Sequence, residues 1–144
     1  MKYALIFGLS LMLSCSKDAG DDPAKLSALT TGSWKLTAYT TDYEKDGVYE
    51  ENTYAFIGEC NQDNFYTFHV DSTVVEDQGP TKCLETDPQT RTLSWKFKEH
   101  QTQLLFGTTT YQIEELTTTT LRLKATVPYN VIYTINQKLV YNKQ

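Results

Sequence analysis

Three cysteines are the residues of this chain with the clearest chemistry: Cys15, Cys60 and Cys83. Leu11-Met12-Leu13-Ser14 leads into Cys15, and the sequence turns polar immediately afterwards with Ser16-Lys17-Asp18. An apolar run ending in a small residue and a cysteine has the form of a bacterial lipoprotein signal peptide. In that reading the chain is cut before Cys15, and its thiol and amine carry acyl groups such as palmitate. Lys2 provides a positive start, and Tyr3 to Leu13 is apolar over the length of a signal peptide. This run is shorter than the roughly 20 apolar residues of a spanning helix. Met12 stands where Leu is usual. Two or three acyl chains anchor stably where one does not, because each buried CH₂ contributes about 0.8 kcal/mol.

Cys60 and Cys83 are then an even pair in an oxidising compartment, and a disulfide is the first reading. It closes a loop of roughly twenty residues, a constraint of about 3 kcal/mol on the unfolded chain. Zinc is the competing use, but His69 and His100 are the only histidines and have no metal-ligand spacing. Glu59 with Asp63, or Glu114 with Glu115, has the composition of a glycosidase dyad, yet nothing sets either pair across a cleft. No Gly-x-Ser-x-Gly, histidine metal motif or phosphate loop occurs. The expectation is a non-enzyme without cofactor or metal.

Charge narrows the partners further. The chain has 13 Lys plus Arg against 18 Asp plus Glu. Lys2 is the one charge ahead of Cys15, so the mature chain carries 12 against 18, a net charge near −6. Phosphate backbones repel such a chain, which argues against nucleic acid. The 144 residues suffice for one domain. The expected division is a signal peptide over 1–14, a lipidated flexible tether over 15–24 and a single domain over 25–144. Ser16 after the cysteine resembles outer-membrane routing, and the Lys17-Asp18 and Asp21-Asp22 pairs read equally as the acidic export signals of Bacteroidetes surface lipoproteins or as a merely soluble spacer.

The elements that position these residues are mostly strands. Asp22-Pro23 caps and starts a short helix through Leu29, with Leu26 and Leu29 on one face and Gly32 after its end. Trp34, Leu36 and Ala38 then alternate with Lys35, Thr37 and Tyr39, the period of a half-buried strand. Asp42 to Gly47 is turn-rich, and in the less regular Tyr49 to Ile57 Tyr54 and Phe56 share a face. Tyr66, Phe68 and Val70 make one face of the next strand, which pairs with Thr73 to Glu76 across Asp71-Ser72. Leu93, Trp95 and Phe97 alternate cleanly. Further strands run over Leu104 to Gly107, Thr110 to Glu114 and Leu121 to Val127, and a long last one over Val131 to Tyr141. Eight to nine short antiparallel strands in one domain read as an all-β barrel or sandwich.

Certain residues carry a family likeness. Gly32-Ser33-Trp34-Lys35-Leu36, Cys60-Asn61-Gln62-Asp63, Phe65 to Phe68, Cys83, Trp95-Lys96-Phe97, and Tyr111-Gln112-Ile113 through Leu116 and Leu121 occur in this order. Together they resemble the lipocalin-like domain of small secreted lipoproteins of the Bacteroidetes, over about Leu26 to Tyr141. The resemblance implies an eight-stranded antiparallel calycin-type barrel after a short helix, with Trp34 near the closed end. The acidic residue and Arg that true lipocalins carry near later strands have no evident counterpart. Arg122 would pack on Trp34 only if its strand turned it inward, and the alternation turns it outward.

Two functions follow from such a barrel. One is a carrier for a small apolar or amphipathic ligand, lined by Trp34, Leu36, Tyr66, Phe68, Trp95, Phe97, Tyr111, Ile113, Leu121 and Tyr133. Eight strands enclose room for side chains or for one small ligand, and this set is bulky enough to be simply a core. The other is a cell-surface module that meets glycan or protein through outward tyrosines such as Tyr39, Tyr43, Tyr49 and Tyr129. A monomer held in the cell envelope, at the outer membrane, is expected in either case.

Overall fold

The computed structural model describes residues 22–144. Cys15, its acylation and most of the tether lie outside the described residues. The chain opens on helix α1 (Pro23–Thr30), where the Asp22 carboxylate accepts from the Ala24 N–H at 2.9 Å and Pro23 occupies the first turn. Gly32 follows with φ +76°, a left-handed conformation that turns the chain into the barrel.

Eight strands form one closed antiparallel barrel in sequence order. They are β1 (Trp34–Asp42), β2 (Phe65–Phe68), β3 (Thr73–Asp77), β4 (Thr90–Lys98), β5 (Gln103–Phe106), β6 (Thr109–Leu116), β7 (Thr120–Pro128) and β8 (Thr134–Lys143). β8 closes the barrel by pairing β1 from Trp34↔Lys143 to Asp42↔Asn136. The seam between β1 and β2 is the shortest, with pairs only at Trp34↔Tyr66 and Lys35↔Phe65. A one-turn 3₁₀ helix (Thr53–Phe56) and a one-turn helix α2 (Glu59–Gln62) interrupt the long β1–β2 connection.

Because successive strands reverse direction, the connections alternate between two ends. α1 and the β2–β3, β4–β5 and β6–β7 turns gather at the base. The β1–β2, β3–β4, β5–β6 and β7–β8 connections form the mouth. α1 seals the base through specific contacts. Leu29 is buried, the Trp34 indole Nε1 donates to its carbonyl at 2.8 Å, and Gln101 in the β4–β5 turn accepts from the Asp22 N–H at 2.9 Å. Above α1 the interior is solid: Trp34, Leu36, Phe68, Val74, Trp95, Leu104, Leu121, Leu123 and Leu139 form one packed core.

Several sequence expectations change in the folded chain. Phe56 lies on the 3₁₀ helix rather than a strand and is 76 % exposed, while Tyr54 only flanks the core. The last strand starts at Thr134, not Val131, because Tyr129 to Tyr133 form the β7–β8 turn, with Tyr129 and Asn130 donating to the Tyr133 carbonyl. Tyr133 therefore stands outside the barrel, 38 % exposed. The pairing of β1 shifts between Leu36 and Ala38, a bulge that changes which residues face inward. Tyr39, expected outward, consequently packs against the core and donates to Gln137 Oε1 at 2.9 Å.

Candidate functional site

The buried carboxylate Glu76 enters the barrel toward its mouth. Along β3 the inward positions are Val74 and then Glu76, so the alternation that builds the core also carries a carboxylate inside. Directly across the ladder stands Arg91 of β4, on the parity of Leu93, Trp95 and Phe97. Arg91 Nε donates to Glu76 Oε2 in a short ion pair. Glu76 Oε1 accepts from Tyr66 Oη at 2.9 Å and from Asn64 Nδ2 at 3.0 Å. The carboxylate is thus buried yet met by three donors, which offsets its desolvation. Its side chain is 5 % exposed and that of Arg91 67 %, so the pair spans from the interior to the rim.

Around this pair the interior opens into a cup of about 330 Å³. Its walls are Tyr66, Leu93, Phe106, Tyr111 and Tyr141, and the β5–β6 turn Gly107-Thr108-Thr109 forms one lip. The rings brace one another edge to face: Tyr66 lies 5.5 Å from Phe106 and 5.7 Å from Tyr141. Burial, then the nearby Glu76 charge, pushes the Tyr66 phenol well above its ordinary value. Burial likewise raises the phenols of Tyr111 and Tyr141. The hydrogen bond and charge of Glu76 hold Arg91 more firmly protonated. The cup therefore offers neutral phenols and one permanent cation at any ordinary pH.

A second recess of about 280 Å³ adjoins the cup and shares Glu76 and Arg91 with it. Asn61, Asn64, Gln78, Asp87 and Pro88 line it, beside Cys83. The Cys60–Cys83 disulfide, with Cα atoms 5.1 Å apart, pins α2 to the β3–β4 connection that roofs this recess. The expected bridge is thus formed. Gly79 brings the same two segments together: a Cβ there would meet the Asp63 carbonyl oxygen at 2.5 Å. The buried side-chain oxygen Oδ1 of Asn64 has no hydrogen-bond partner among the described residues.

The residues expected to line a ligand divide between core and cup. Trp34, Leu36, Phe68, Trp95 and Leu121 are buried in the packed lower half, with Phe97 and Ile113 against it. Only Tyr66 and Tyr111 of that set line the cup. Glu76, Arg91, Phe106 and Tyr141 complete it and were missed as site residues, although Glu76 and Arg91 sit on the inward parity of their strands. A charge at an inward position was the available signal. Arg122 does face outward, bonded to Glu115 at 3.0 Å. Lys143 occupies the place over Trp34 instead. Among the described residues no group of three or more His, Cys, Asp or Glu is arranged to hold a metal ion.

A family model described as a lipocalin-like domain matches residues 30–123. The chain belongs to the lipocalin-like domain family. The matched span ends within β7, so β8, which closes the barrel and carries Tyr141 and Lys143, lies beyond it. No curated protein matches the chain. The lipocalin-like fold suggests a ligand-binding or interaction module.

Proposed function

We propose that this lipocalin-like protein is a lipid-anchored binding module of the cell envelope, acylated at Cys15, that takes one small amphipathic molecule at its mouth. The observation that supports this reading is the cup over the Glu76–Arg91 pair. It is concave, part aromatic and part hydrogen-bonding, and at the small end of the roughly 300–1,000 Å³ range of ligand sites. The packed lower half argues against a long apolar ligand threaded down the barrel. The work is binding rather than catalysis, by a monomer at the outer membrane.

The anchor orients the cup. Chain enters the domain at the base, where Asp22 meets Gln101, so a tether of about seven residues from Cys15 holds the base toward the bilayer. The mouth then faces away from the lipid. Replacing Cys15 with Ala is expected to move the protein from membrane to soluble fractions with its thermal unfolding unchanged; continued membrane partitioning would refute the anchor. For the cup, saturable shifts of the Tyr66, Gly107 and Tyr111 backbone resonances on adding small-molecule libraries are expected. Shifts confined to core positions such as Leu104 and Leu123 would argue for a deep site instead.

A second reading has its own observation. Val131 and Ile132 at the tip of the β7–β8 turn are 102 % and 94 % exposed, and Tyr129 of the same turn packs edge to face on Tyr43. Adjacent carboxylates of Glu44, Asp46, Glu50 and Glu51 disfavour an anionic bilayer and suit a protein with an apolar pocket and a basic rim. Replacing Val131 and Ile132 with Ser would abolish such contact while leaving the cup intact.

A further inference from the structure

We infer that the ligand of the mouth cup is a neutral sugar ring, an inference that rests on the cup being the binding site. Arg91 bonds Glu76 through Nε, and among the described residues its terminal amino groups have no acceptor. The buried Glu76 carboxylate holds that guanidinium at the rim through Nε, which orients its remaining donors before any ligand arrives. Adjacent hydroxyls of a pyranose match such a fork. Thr108, Thr109 and the Tyr111 phenol add hydroxyls that both donate and accept, as sugar hydroxyls require.

The walls suit the other side of a sugar. A pyranose has an apolar C–H face, and Tyr66, Phe106 and Tyr141 supply an aromatic surface in which Tyr66 meets each of the other two rings edge to face. The second recess extends the same chemistry past Arg91. Asn61, Asn64, Gln78 and Asp87 line it, the Oδ1 acceptor of Asn64 is unsatisfied, and the two recesses meet at Glu76 and Arg91. A neighbouring sugar of a longer glycan has a place there.

Charge excludes the obvious rival, a carboxylate or phosphate on Arg91. The guanidinium already answers Glu76 and feels Asp87 across the second recess. An anionic ligand would be a third negative group around one cation, in a protein of net charge −5. Burial that already disfavours ionised phenols at Tyr111 and Tyr141 disfavours an anion beside them as well. A simple hydrocarbon fares no better, since it would cover the Arg91 donors without replacing their water.

The test uses the full-length ¹⁵N-labelled protein in a sugar-free zwitterionic detergent. It is titrated with methyl β-D-glucopyranoside, methyl β-D-galactopyranoside and N-acetylglucosamine, with phenylacetate as the anion and cyclohexylmethanol as a neutral ring bearing one hydroxyl. The expected result is saturable shifts at Glu76, Arg91, Gly107 and Tyr111 with at least one pyranoside at millimolar concentration. Affinity should fall about tenfold in Arg91→Gln and by a smaller factor in Tyr111→Phe. Tighter binding of phenylacetate or cyclohexylmethanol than of every pyranoside at those residues overturns the sugar inference and leaves the cup standing. Pyranoside affinity unchanged in both variants also overturns it. No shift at the cup with any probe overturns the cup as well.

Discussion

Lys143, the penultimate residue, lies with its ammonium 4.6 Å over the indole of Trp34, near the start of the barrel. The same ammonium donates to the Ala28 carbonyl of α1 at 2.8 Å, and the Trp34 Nε1 donates to Leu29. One cation therefore ties the last strand to the first and both to the sealing helix. Cation–π contact and a free carbonyl at a helix end are each favourable, by about 0.5–1 kcal/mol.

Removing the indole should cost far more than removing the cation. Trp34→Ala is expected to lower stability by about 3–5 kcal/mol, since a fully buried ring leaves a cavity. Lys143→Met keeps the aliphatic stem and should cost about 1 kcal/mol. Arg122→Met, outward and half exposed, should change stability by less than about 0.5 kcal/mol. Urea midpoints at constant slope measure all three. A larger loss for Arg122→Met than for Lys143→Met would remove Lys143 from this role.

The Glu76–Arg91 pair should be asymmetric. Arg91→Gln leaves the carboxylate with its Tyr66 and Asn64 donors, and a cost of about 1 kcal/mol is expected. Glu76→Ala strands two buried donors and should cost about 2–3 kcal/mol. Denaturant unfolding of the two variants, run side by side, checks the order.

Reducing the Cys60–Cys83 bridge, or replacing both residues with Ser, should cost about 3 kcal/mol in stability. The loss should be local in structure. Amide exchange is expected to quicken in α2 and in residues 78–89, while β7 and β8, paired from Thr120↔Asn142 to Pro128↔Thr134, keep their protection. Uniform loss of protection would mean that the bridge supports the barrel rather than the mouth.

Alkaline pH should unfold the domain through its tyrosines. Tyr66, Tyr111 and Tyr141 have phenols raised above 10.0, chiefly by burial. The unfolded chain releases these protons first as the pH passes 10.0, so their contribution is complete below that value and declines above it. Phenolate absorbance should show these three ionising only as the fold is lost. Tyr66→Phe should flatten the decline.

The sequence alone determined most of the elements and many of the faces. Asp22-Pro23 placed the helix and alternation from Trp34 onward placed most strands, because both depend on neighbours close along the chain, while the even cysteine count placed the bridge. Period-2 alternation states which side of a strand a residue occupies; it does not state at what height in the barrel it lies or what stands opposite. Trp95 and Tyr111 share the inward parity, yet one is core and the other cup. Register across the sheet put Arg91 opposite Glu76, a bulge after Leu36 turned Tyr39 inward, and closure brought Lys143 over Trp34. These relationships join residues distant in sequence, and only the tertiary structure decided them.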